Sequence, residues 1–471
     1  MPLAYDRFLS SVSKERPRAV IRGLLPLENT PGVISLLAGK PNPDGFPFES
    51  ITVRLKPSAV MSADPATGEP VTLTISGKDL EEVLQYGATS GCKSFEDVLV
   101  DIVGRMHARH RGSGPGGDFG MAIGTGSQDL LIKALTSLFD PDDTMLVESP
   151  TYPGMVPEMV AHNVNMVPVD SDSDGMSAES LGALLENWHT AEVTRALKFP
   201  KAVYTVPTGA NPAGTTASAD RKRAVLAQAR KHGLLIFEDD PYYYLTFNEE
   251  EDGTRTPSYF ALECEDAERW GYGYVMRFES MSKIMSAGMR LGFLVGPKPL
   301  VDAVNSTTAS QNLHASLPPQ AMAAALLQHW GTDGFLRHVR QVSDMYKARR
   351  DAFEKEAVAH LGTGTDGTQT PVATWVTPVA GMFHWFKLRL PPSEDAPDGD
   401  SYEVIATKAF KAGVLAVPGV AFSPVSEKSA YVRTSFSILP LDQVGEAFRR
   451  LRSAVEETWK EAGYDGVPAA P

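Results

Sequence analysis

Three short motifs place reactive or charged side chains directly after or within predicted strands. EDDPYYY (238–244) closes an apolar strand with three acids, and a buried carboxylate there needs a metal, an arginine or a protonated ring nitrogen. SMSKIMSAGMR (280–290) surrounds Lys283 with small hydroxyl residues, and a lysine whose pKa is depressed can form an imine. YVRTSFS (431–437) carries Arg433 in an otherwise uncharged strand, where a guanidinium suits a carboxylate ligand. Each motif has a simpler alternative: a solvated strand end, a surface lysine or a structural ion pair.

Two further motifs offer backbone and amide donors. In IGTGSQ (123–128) a strand runs into Gly-Thr-Gly and a helix starts at Ser127, which predicts an anion site at the helix N-terminus. The alternative is a glycine turn with Ser127 as the N-cap. In PTGANPAG (207–214), Asn211 is held extended by the following proline, so its amide could donate to a ligand oxygen, although a plain Asn-Pro turn also fits.

The elements that would position these residues alternate along the chain. Apolar strands are predicted at 120–124, 144–148, 164–169, 201–206, 234–238, 274–278 and 290–295, and helices at 127–138, 154–162, 177–188 and 218–232. This order predicts an α/β domain with a mostly parallel sheet, in which ligands bind beyond the carboxyl ends of the strands. After about residue 330, a helix (335–359), two strands (381–388, 430–436) and a last helix (441–462) predict a smaller α+β unit.

Composition excludes several classes of protein. The chain has 471 residues, a formal net charge of −14 and two cysteines. The charge argues against a nucleic-acid binder, and the cysteine count excludes a disulfide framework or a thiolate zinc cluster. The sequence has no apolar run of transmembrane length and no H-E-x-x-H, C-x-x-C or G-x-S-x-G motif, so no membrane partner and no metal are expected. The N-terminus lacks a signal-peptide apolar region and contains acids, which makes the cytoplasm the expected compartment.

The order of the motifs is more specific than any one of them. GTGSQ, ESPTYPG, TVPTGANPAG, EDDPYY, SMSKIMSAGMRLGFLVG and YVRTSFS resemble the successive site motifs of class I/II aminotransferases, which have fold type I of pyridoxal 5′-phosphate (PLP) enzymes. ISLLAGKPNPDGFPF, GFLVGPKPL and GMFHWFKL resemble the branch of 2-aminoadipate/kynurenine and fungal-type aromatic amino acid aminotransferases. The resemblance implies an N-terminal arm with part of the small domain (1–55), a large PLP-binding domain with a mostly parallel seven-stranded sheet (56–330) and a C-terminal small domain (331–471).

The resemblance also implies cofactor roles. Lys283 would attach covalently to PLP and move the Cα proton of the substrate, and Asp239 would pair with the pyridinium nitrogen. Tyr242 and Asn211 would hydrogen-bond the phenolic oxygen of the ring. The remaining implied cofactor contacts are Tyr152, stacked on the ring, and Ser127, Gln128, Ser280, Ser282 and Arg290 around the phosphate. Tyr86 matches a tyrosine that reaches the cofactor of a second subunit, which implies a homodimer with shared sites.

For the substrate, the resemblance implies that Arg433 binds the α-carboxylate, with Gly39, Asn211, Arg22 and Phe383 as further contacts. Arg22 would meet a side-chain carboxylate and Phe383 would line an aromatic pocket; a surface arginine and a core phenylalanine are the alternatives. The implied reaction moves an amino group from an aromatic amino acid or 2-aminoadipate to 2-oxoglutarate in ping-pong fashion. Another PLP reaction, by a cysteine-conjugate β-lyase or a decarboxylase, would use nearly the same residues and stays open. A nicotinamide oxidoreductase is disfavoured because IGTGSQ lacks the third glycine of the dinucleotide fingerprint.

Overall fold

A computed structural model of the chain describes residues 3–17, 24, 27–28, 30–37, 39–114, 116–247, 255–365 and 367–468. The chain divides into two compact units. The first contains Met1–Pro141, Gly271–Gly273 and Phe278–His338, and the second contains Asp142–Trp270, Tyr274–Arg277 and Val339–Pro471. The domain boundaries predicted after residues 55 and 330 stay predictions. Within the described ranges, no helix is long and apolar enough to cross a membrane.

The largest sheet confirms the predicted α/β class. Its strands are β3 (Phe119–Gly124), β4 (Thr144–Ser149), β5 (Asn165–Asp172), β6 (Gly175–Met176), β7 (Ala202–Thr205), β8 (Leu235–Asp239), β9 (Val275–Ser280) and β10 (Gly292–Pro297). They lie in the order β3-β10-β9-β8-β7-β4-β5-β6. The pairs β4–β5, β4–β7 and β7–β8 are parallel, whereas β3–β10 and β5–β6 are antiparallel. Strands β4, β7 and β8 are buried almost throughout, as expected for a sheet covered on both faces.

The sheet has eight strands where seven were predicted. The additional strand, β6, has only two residues and pairs back on β5 through Ser171↔Met176 and Asp172↔Gly175. Gly175 has a φ of 78°, which a glycine adopts without strain and which allows the tight return of the chain. A strand of two residues is too short to produce the alternation that identifies strands in a sequence.

The other strands of the described residues form two smaller sheets. Strands β1 (Ser50–Arg54) and β2 (Thr72–Ser76) form an antiparallel pair. Strands β11 (Ala373–Thr374), β12 (Phe383–Leu388), β13 (Val417–Pro418) and β14 (Tyr431–Ser435) form an antiparallel sheet in the order β11-β12-β14-β13. The predicted strands at 381–388 and 430–436 are β12 and β14, and together with the last helix they confirm the α+β character of this region.

The α-helices of the described residues are α1 (Ser11–Glu15), α2 (Gly77–Leu84), α3 (Lys93–His107), α4 (Ser127–Leu138), α5 (Val156–Ala161), α6 (Ala178–Glu186), α7 (Ala219–His232), α8 (Tyr259–Leu262), α9 (Ala267–Trp270), α10 (Lys298–Gln311), α11 (Leu317–His360), α12 (Ser401–Val404) and α13 (Leu441–Glu461). Helices α4, α5, α6, α7 and α13 agree with predicted ones to within two residues, whereas α3 and α10 are long helices that were not predicted. Segment α11 is broken at Gly331, whose φ of 59° and ψ of 178° are not helical. The predicted helix 335–359 is the part of α11 that follows this break.

Candidate active site

In the first unit, strand β3 enters helix α4 through a glycine turn. Gly126 is the N-cap, with a φ of 87°, and Ser127 is the first helical residue, so the alternative in which Ser127 caps the helix is wrong. Strand β10 pairs with β3 through Gly292↔Gly124. A Cβ atom on Gly292 would lie 2.5 Å from the backbone nitrogen of Ser127, so only glycine allows β10 to approach the helix start this closely.

Arg290, just before β10, lies beside this helix start. Its Nη2 donates to the Thr125 carbonyl oxygen and its Nη1 donates to Ser282 Oγ, each at 3.2 Å. A Cβ atom on Gly126 would lie 2.5 Å from Arg290 Nη2. We call Thr125, Gly126, Ser127, Ser282 and Arg290 the anion cradle, because a helix N-terminus, hydroxyls and a guanidinium are donors suited to a phosphate. In the described part of the chain, no acid forms an ion pair with Arg290.

Lys283 lies one residue beyond the cradle's Ser282. It ends a 3₁₀ helix, Met281–Lys283, that follows strand β9 directly. Ser280 caps this turn, since its Oγ accepts from the Ser282 backbone N–H at 3.2 Å. Gln128 follows Ser127 in helix α4. The structure therefore brings Ser127, Ser282 and Arg290 together, and it places Ser280, Lys283 and Gln128 next to them along the chain.

Three further predicted residues receive little support from contacts. Tyr86 is 56% exposed, and its ring packs edge-on against His314 with centroids 6.5 Å apart. Gly39 is exposed. Arg22 lies outside the described residues. The roles predicted for all three stay predictions.

In the second unit, the carboxyl ends of β4, β7 and β8 lead to four of the predicted residues. Tyr152 follows β4, Asn211 follows β7, and Asp239 and Tyr242 lie at the end of β8 and just beyond it. Because these three strands are parallel, their carboxyl ends share one edge of the sheet. Tyr152 acts electrostatically on the pKa of Tyr242 and Arg433, which indicates that these side chains are close.

The acids of strand β8 are buried, which overturns the alternative of a solvated strand end. Glu238, Asp239 and Asp240 are each at most 3% exposed. Arg277 in β9 lies 2.9 Å from Glu238 Oε1 and 2.9 Å from Asp240 Oδ2, both from Nη1. Its guanidinium also lies 4.6 Å from the centre of the Tyr243 ring. Burial raises the pKa of Glu238, and Arg277 opposes this shift. We call Glu238, Asp240 and Arg277 the acid clamp.

Asp239 has a different partner, Tyr204 of strand β7. The Tyr204 hydroxyl donates to Asp239 Oδ2 at 2.7 Å, and Tyr204 is 0% exposed. Burial raises the pKa of Tyr204 well above its ordinary value, and the neighbouring Asp239 raises it further, so the phenol keeps its proton. Burial, followed by Asp239, likewise raises the pKa of Tyr242.

Arg433 is held by an amide and two aromatic rings. It pairs with Trp385 of β12 and Val417 of β13, and its Nη1 donates to Asn211 Oδ1 at 2.8 Å. The guanidinium lies 4.4 Å from the Phe383 ring centre and 5.1 Å from the Phe422 ring centre. We call Asn211, Phe383, Phe422 and Arg433 the carboxylate clamp.

The guanidinium of this clamp lacks an anion. Arg433 Nε is buried without a hydrogen-bond partner, and no acid forms an ion pair with Arg433 among the residues that the structure describes. Desolvation lowers the pKa of Arg433, and Tyr242 and Tyr152 oppose this shift. A partly desolvated cation with free donors on a planar fork is suited to a carboxylate ligand.

Sequence reasoning missed Tyr204, Arg277 and Phe422. The sequence could have predicted the role of Arg277. It is a single charge inside the apolar strand VMRF and therefore needs buried acids nearby. Tyr204 and Phe422 had no comparable signal, since an aromatic residue in a buried region is ordinarily core. No group of three or more His, Cys, Asp or Glu side chains that could hold a metal occurs in the described ranges.

Comparison with known proteins shows which protein family the chain resembles. The family model for aminotransferase class I and II matches residues 71–451. The aminotransferase tdiD of Emericella nidulans is 40% identical over 450 residues, covering 95% of each chain. The mitochondrial kynurenine/alpha-aminoadipate aminotransferase of Bos taurus is 32% identical over 460 residues, covering 96% of this chain and 99% of that protein. The crystal structure of aminotransferase Aro8 from Candida albicans is similar with a TM-score of 0.81 at 26% identity, covering 96% and 98% of the two chains.

Proposed function

Because the chain belongs to the class I and II aminotransferases, we propose that it moves the amino group of an aromatic amino acid or 2-aminoadipate to 2-oxoglutarate, with PLP as cofactor and ping-pong kinetics. The observation that carries this proposal is the carboxylate clamp. Every amino donor and every 2-oxo acid acceptor has a carboxylate next to the reacting carbon. Arg433, with a buried Nε and no acid pairing with it in the described chain, is suited to bind that group in both half-reactions.

The anion cradle supports the choice of cofactor. The close fit of Gly126 against Arg290 leaves no room for a side chain at this helix start. Ser127, Ser280, Ser282 and Arg290, with Gln128 beside them, would hold the cofactor phosphate. Bound PLP supplies an electron sink for the carbanion that forms when the Cα proton leaves.

The catalytic roles are assigned to Lys283, Asp239 and Tyr242. The Nζ atom of Lys283 would hold the cofactor and would move the Cα proton of the substrate as base and acid. The buried Asp239 carboxylate is the counter-ion that favours a protonated ring nitrogen. Tyr242 keeps its phenolic proton because burial raises its pKa, so it serves as a donor to the ring oxygen.

Asn211 links the cofactor and the substrate in this proposal. Its Oδ1 accepts from Arg433 at 2.8 Å, which turns its Nδ2 donor away from the guanidinium. Nδ2 would then donate to the phenolic oxygen of the cofactor. Tyr152 is assigned to stack on the cofactor ring, and Phe383, beneath Arg433, to border the side-chain pocket.

The assembly and the compartment also belong to the proposal. Exposure of Tyr86 supports a homodimer in which this ring reaches the phosphate of the second subunit. Gly39 and Arg22 are assigned to the substrate pocket. The cytoplasm is the expected compartment, although the relative from Bos taurus is named as mitochondrial.

A donor panel tests the proposed function. The purified protein, loaded with PLP, is incubated with 2-oxoglutarate and either 2-aminoadipate, kynurenine, phenylalanine, tyrosine or leucine, and glutamate is measured together with loss of the donor. We expect one glutamate for each donor consumed, with aromatic donors or 2-aminoadipate preferred. Donor loss without matching glutamate would instead identify a lyase or a decarboxylase and would contradict the proposal.

A further inference from the structure

We propose that Tyr204 is a positioning residue that fixes the Asp239 carboxylate toward the cofactor ring nitrogen and stabilises its ionised form. The proposal rests on the proposed function, because it assigns Asp239 to PLP. It goes beyond that function by naming a residue outside the family motifs, in the interior of strand β7. The bond between Tyr204 and Asp239 is a property of the protein alone, so it can be tested with and without the cofactor.

The register of the sheet explains why these two side chains meet. Strands β7 and β8 are parallel, and Tyr204 is paired with Phe237, two residues before Asp239. The long tyrosine side chain reaches along the sheet to Asp239 Oδ2, at 2.7 Å. Both residues are buried, so the hydrogen bond does not compete with bulk water. Hydrogen bonds to a carboxylate in such surroundings are shorter and stronger than neutral ones.

The direction of the hydrogen bond is fixed by chemistry. An ionised carboxylate can only accept, so the phenol must be the donor. Burial raises the pKa of Tyr204 well above its ordinary value, followed by the effect of Asp239, so the donor proton is retained across the working pH range. Tyr204 therefore stabilises the charged form of Asp239, which is the form that can pair with a protonated ring.

The backbone at Asp239 is held from the other side by the acid clamp. Successive residues of a strand point to opposite faces, so Glu238 and Asp240 lie on the face away from Asp239. Arg277 Nη1 lies 2.9 Å from a carboxylate oxygen of each. This arrangement anchors the strand on both sides of Asp239 and leaves mainly the rotation of its own side chain to be restrained. The Tyr204 hydroxyl restrains that rotation.

The first experiment uses the apoprotein in a double-mutant cycle. Tyr204→Phe removes only the donor oxygen, so it leaves one buried carboxylate oxygen with fewer partners. We expect the melting temperature at pH 8 to fall by about 1–3 °C. In the Asp239→Ala background, Tyr204→Phe should cost nothing. Equal losses in both backgrounds would overturn the proposal.

Tyr259→Phe is the matched control. Tyr259 is also buried, at 1% exposed, but it lies on helix α8 and its phenol is not bonded to Asp239. This variant should lower the melting temperature by the same amount with Asp239 present and in the Asp239→Ala background. A loss that disappears in the Asp239→Ala background, like that expected of Tyr204→Phe, would show that any buried phenol has this effect, and would overturn the specific role of Tyr204.

The second experiment uses the holoenzyme with ¹⁵N-labelled PLP. In Tyr204→Phe we expect cofactor affinity to fall about tenfold, and the ¹⁵N shift to report a smaller fraction of protonated ring nitrogen, because the less stabilised carboxylate draws the shared proton toward itself. Unchanged affinity and an unchanged ¹⁵N shift would overturn the proposal. If the wild-type protein binds no PLP, the proposed function fails, whereas the apoprotein cycle still decides whether Tyr204 and Asp239 are coupled.

Discussion

Two arginines of the second unit show how differently a protein can accommodate a desolvated cation. Arg277 is 0% exposed and lies between the carboxylates of Glu238 and Asp240, each 2.9 Å from its Nη1. Arg433 is half-buried, and its neighbours are an amide oxygen and two aromatic rings. The first cation is neutralised within the protein; the second is oriented but keeps donors available.

The difference separates a cation with counter-ions from one whose donors remain suited to a ligand. A buried charge without a counter-ion is costly, so a protein that keeps one gains from a ligand that supplies the anion. Arg277 has its anions built in and holds the strand behind Asp239. Under the proposed function, a substrate carboxylate supplies the anion that Arg433 does not receive from the described residues. Burial alone would not have distinguished the two arginines. The presence of paired acids at Arg277, and of an amide and rings at Arg433, does distinguish them.

The largest effect on stability is expected from Arg277→Met. Removing this cation leaves Glu238 and Asp240 buried beside each other without compensation, which should lower the free energy of unfolding by about 3–5 kcal/mol. Urea unfolding of the apoprotein measures the loss. Arg433→Met is the matched control and should cost less, about 1–2 kcal/mol, because it strands the amide oxygen of Asn211 but no acid. Equal losses for the two variants would remove the distinction between them.

The largest effect on catalysis within this comparison is expected from Arg433→Met. Loss of two charge-assisted hydrogen bonds should lower kcat/KM by about 10²–10³-fold, which corresponds to about 2.7–4 kcal/mol. The loss should appear for the amino donor and for 2-oxoglutarate, since both carry the same carboxylate. Arg433→Lys keeps the charge without the planar fork and should recover part of the rate. An effect confined to one substrate would contradict a shared α-carboxylate site.

A third buried group, the imidazole of His384, avoids the cost of a buried charge by remaining unprotonated. It lies on β12 one residue from Phe383, stacked on Phe353 and Phe386, and burial followed by Arg350 lowers its pKa to about 3. The unfolded chain takes up a proton near pH 6.5, whereas the folded chain does not, so stability falls as the pH falls. Between pH 8 and pH 5 this contributes a loss of about 2 kcal/mol. His384→Phe should remove that contribution from the pH profile of urea unfolding; an unchanged profile would show that His384 is not its source.

The smallest effect is expected in the anion cradle, where Arg290 also has no acidic partner in the described chain. Gly126→Ala places a Cβ atom 2.5 Å from Arg290 Nη2 at a φ of 87°. We expect affinity for PLP to fall by about tenfold, equivalent to about 1.4 kcal/mol. Gly463→Ala is the matched control, because it has a φ of 89° and nothing within 4 Å. Equal affinity for PLP in the two variants would contradict a role for the close approach of residue 126 to Arg290.

The parts of the site that follow one another in the sequence were predictable. Ser280, Ser282, Lys283 and Arg290 lie in one short segment from the end of β9 to the start of β10, so their spacing in the sequence predicts that they are close. The partners that come from other strands could not be predicted from spacing along the sequence. Tyr204 reaches Asp239 only through the register of β7 on β8, and Arg277 reaches the acids of β8 from β9.

The secondary-structure elements of the fold also divide into those that the sequence predicted and those that it did not. A periodic pattern of several residues identified helix α4, whose predicted and observed bounds coincide at Ser127 and Leu138. Helices α3 and α10 and strands β1 and β2 were not predicted, although none of them is short. The two-residue strands β6, β11 and β13 were missed because they have no period to detect. The break at Gly331 depends on a positive φ that the surrounding helical pattern does not reveal.

Chemical trapping tests the assignment of Lys283 to the cofactor most directly. The protein is incubated with PLP, reduced with borohydride, digested and analysed by mass spectrometry, with Lys283→Ala treated in parallel. We expect a single pyridoxyl-phosphate adduct on the peptide that contains Lys283, and none on any peptide of the variant. An adduct on another lysine, or an equal amount in Lys283→Ala, would contradict the account.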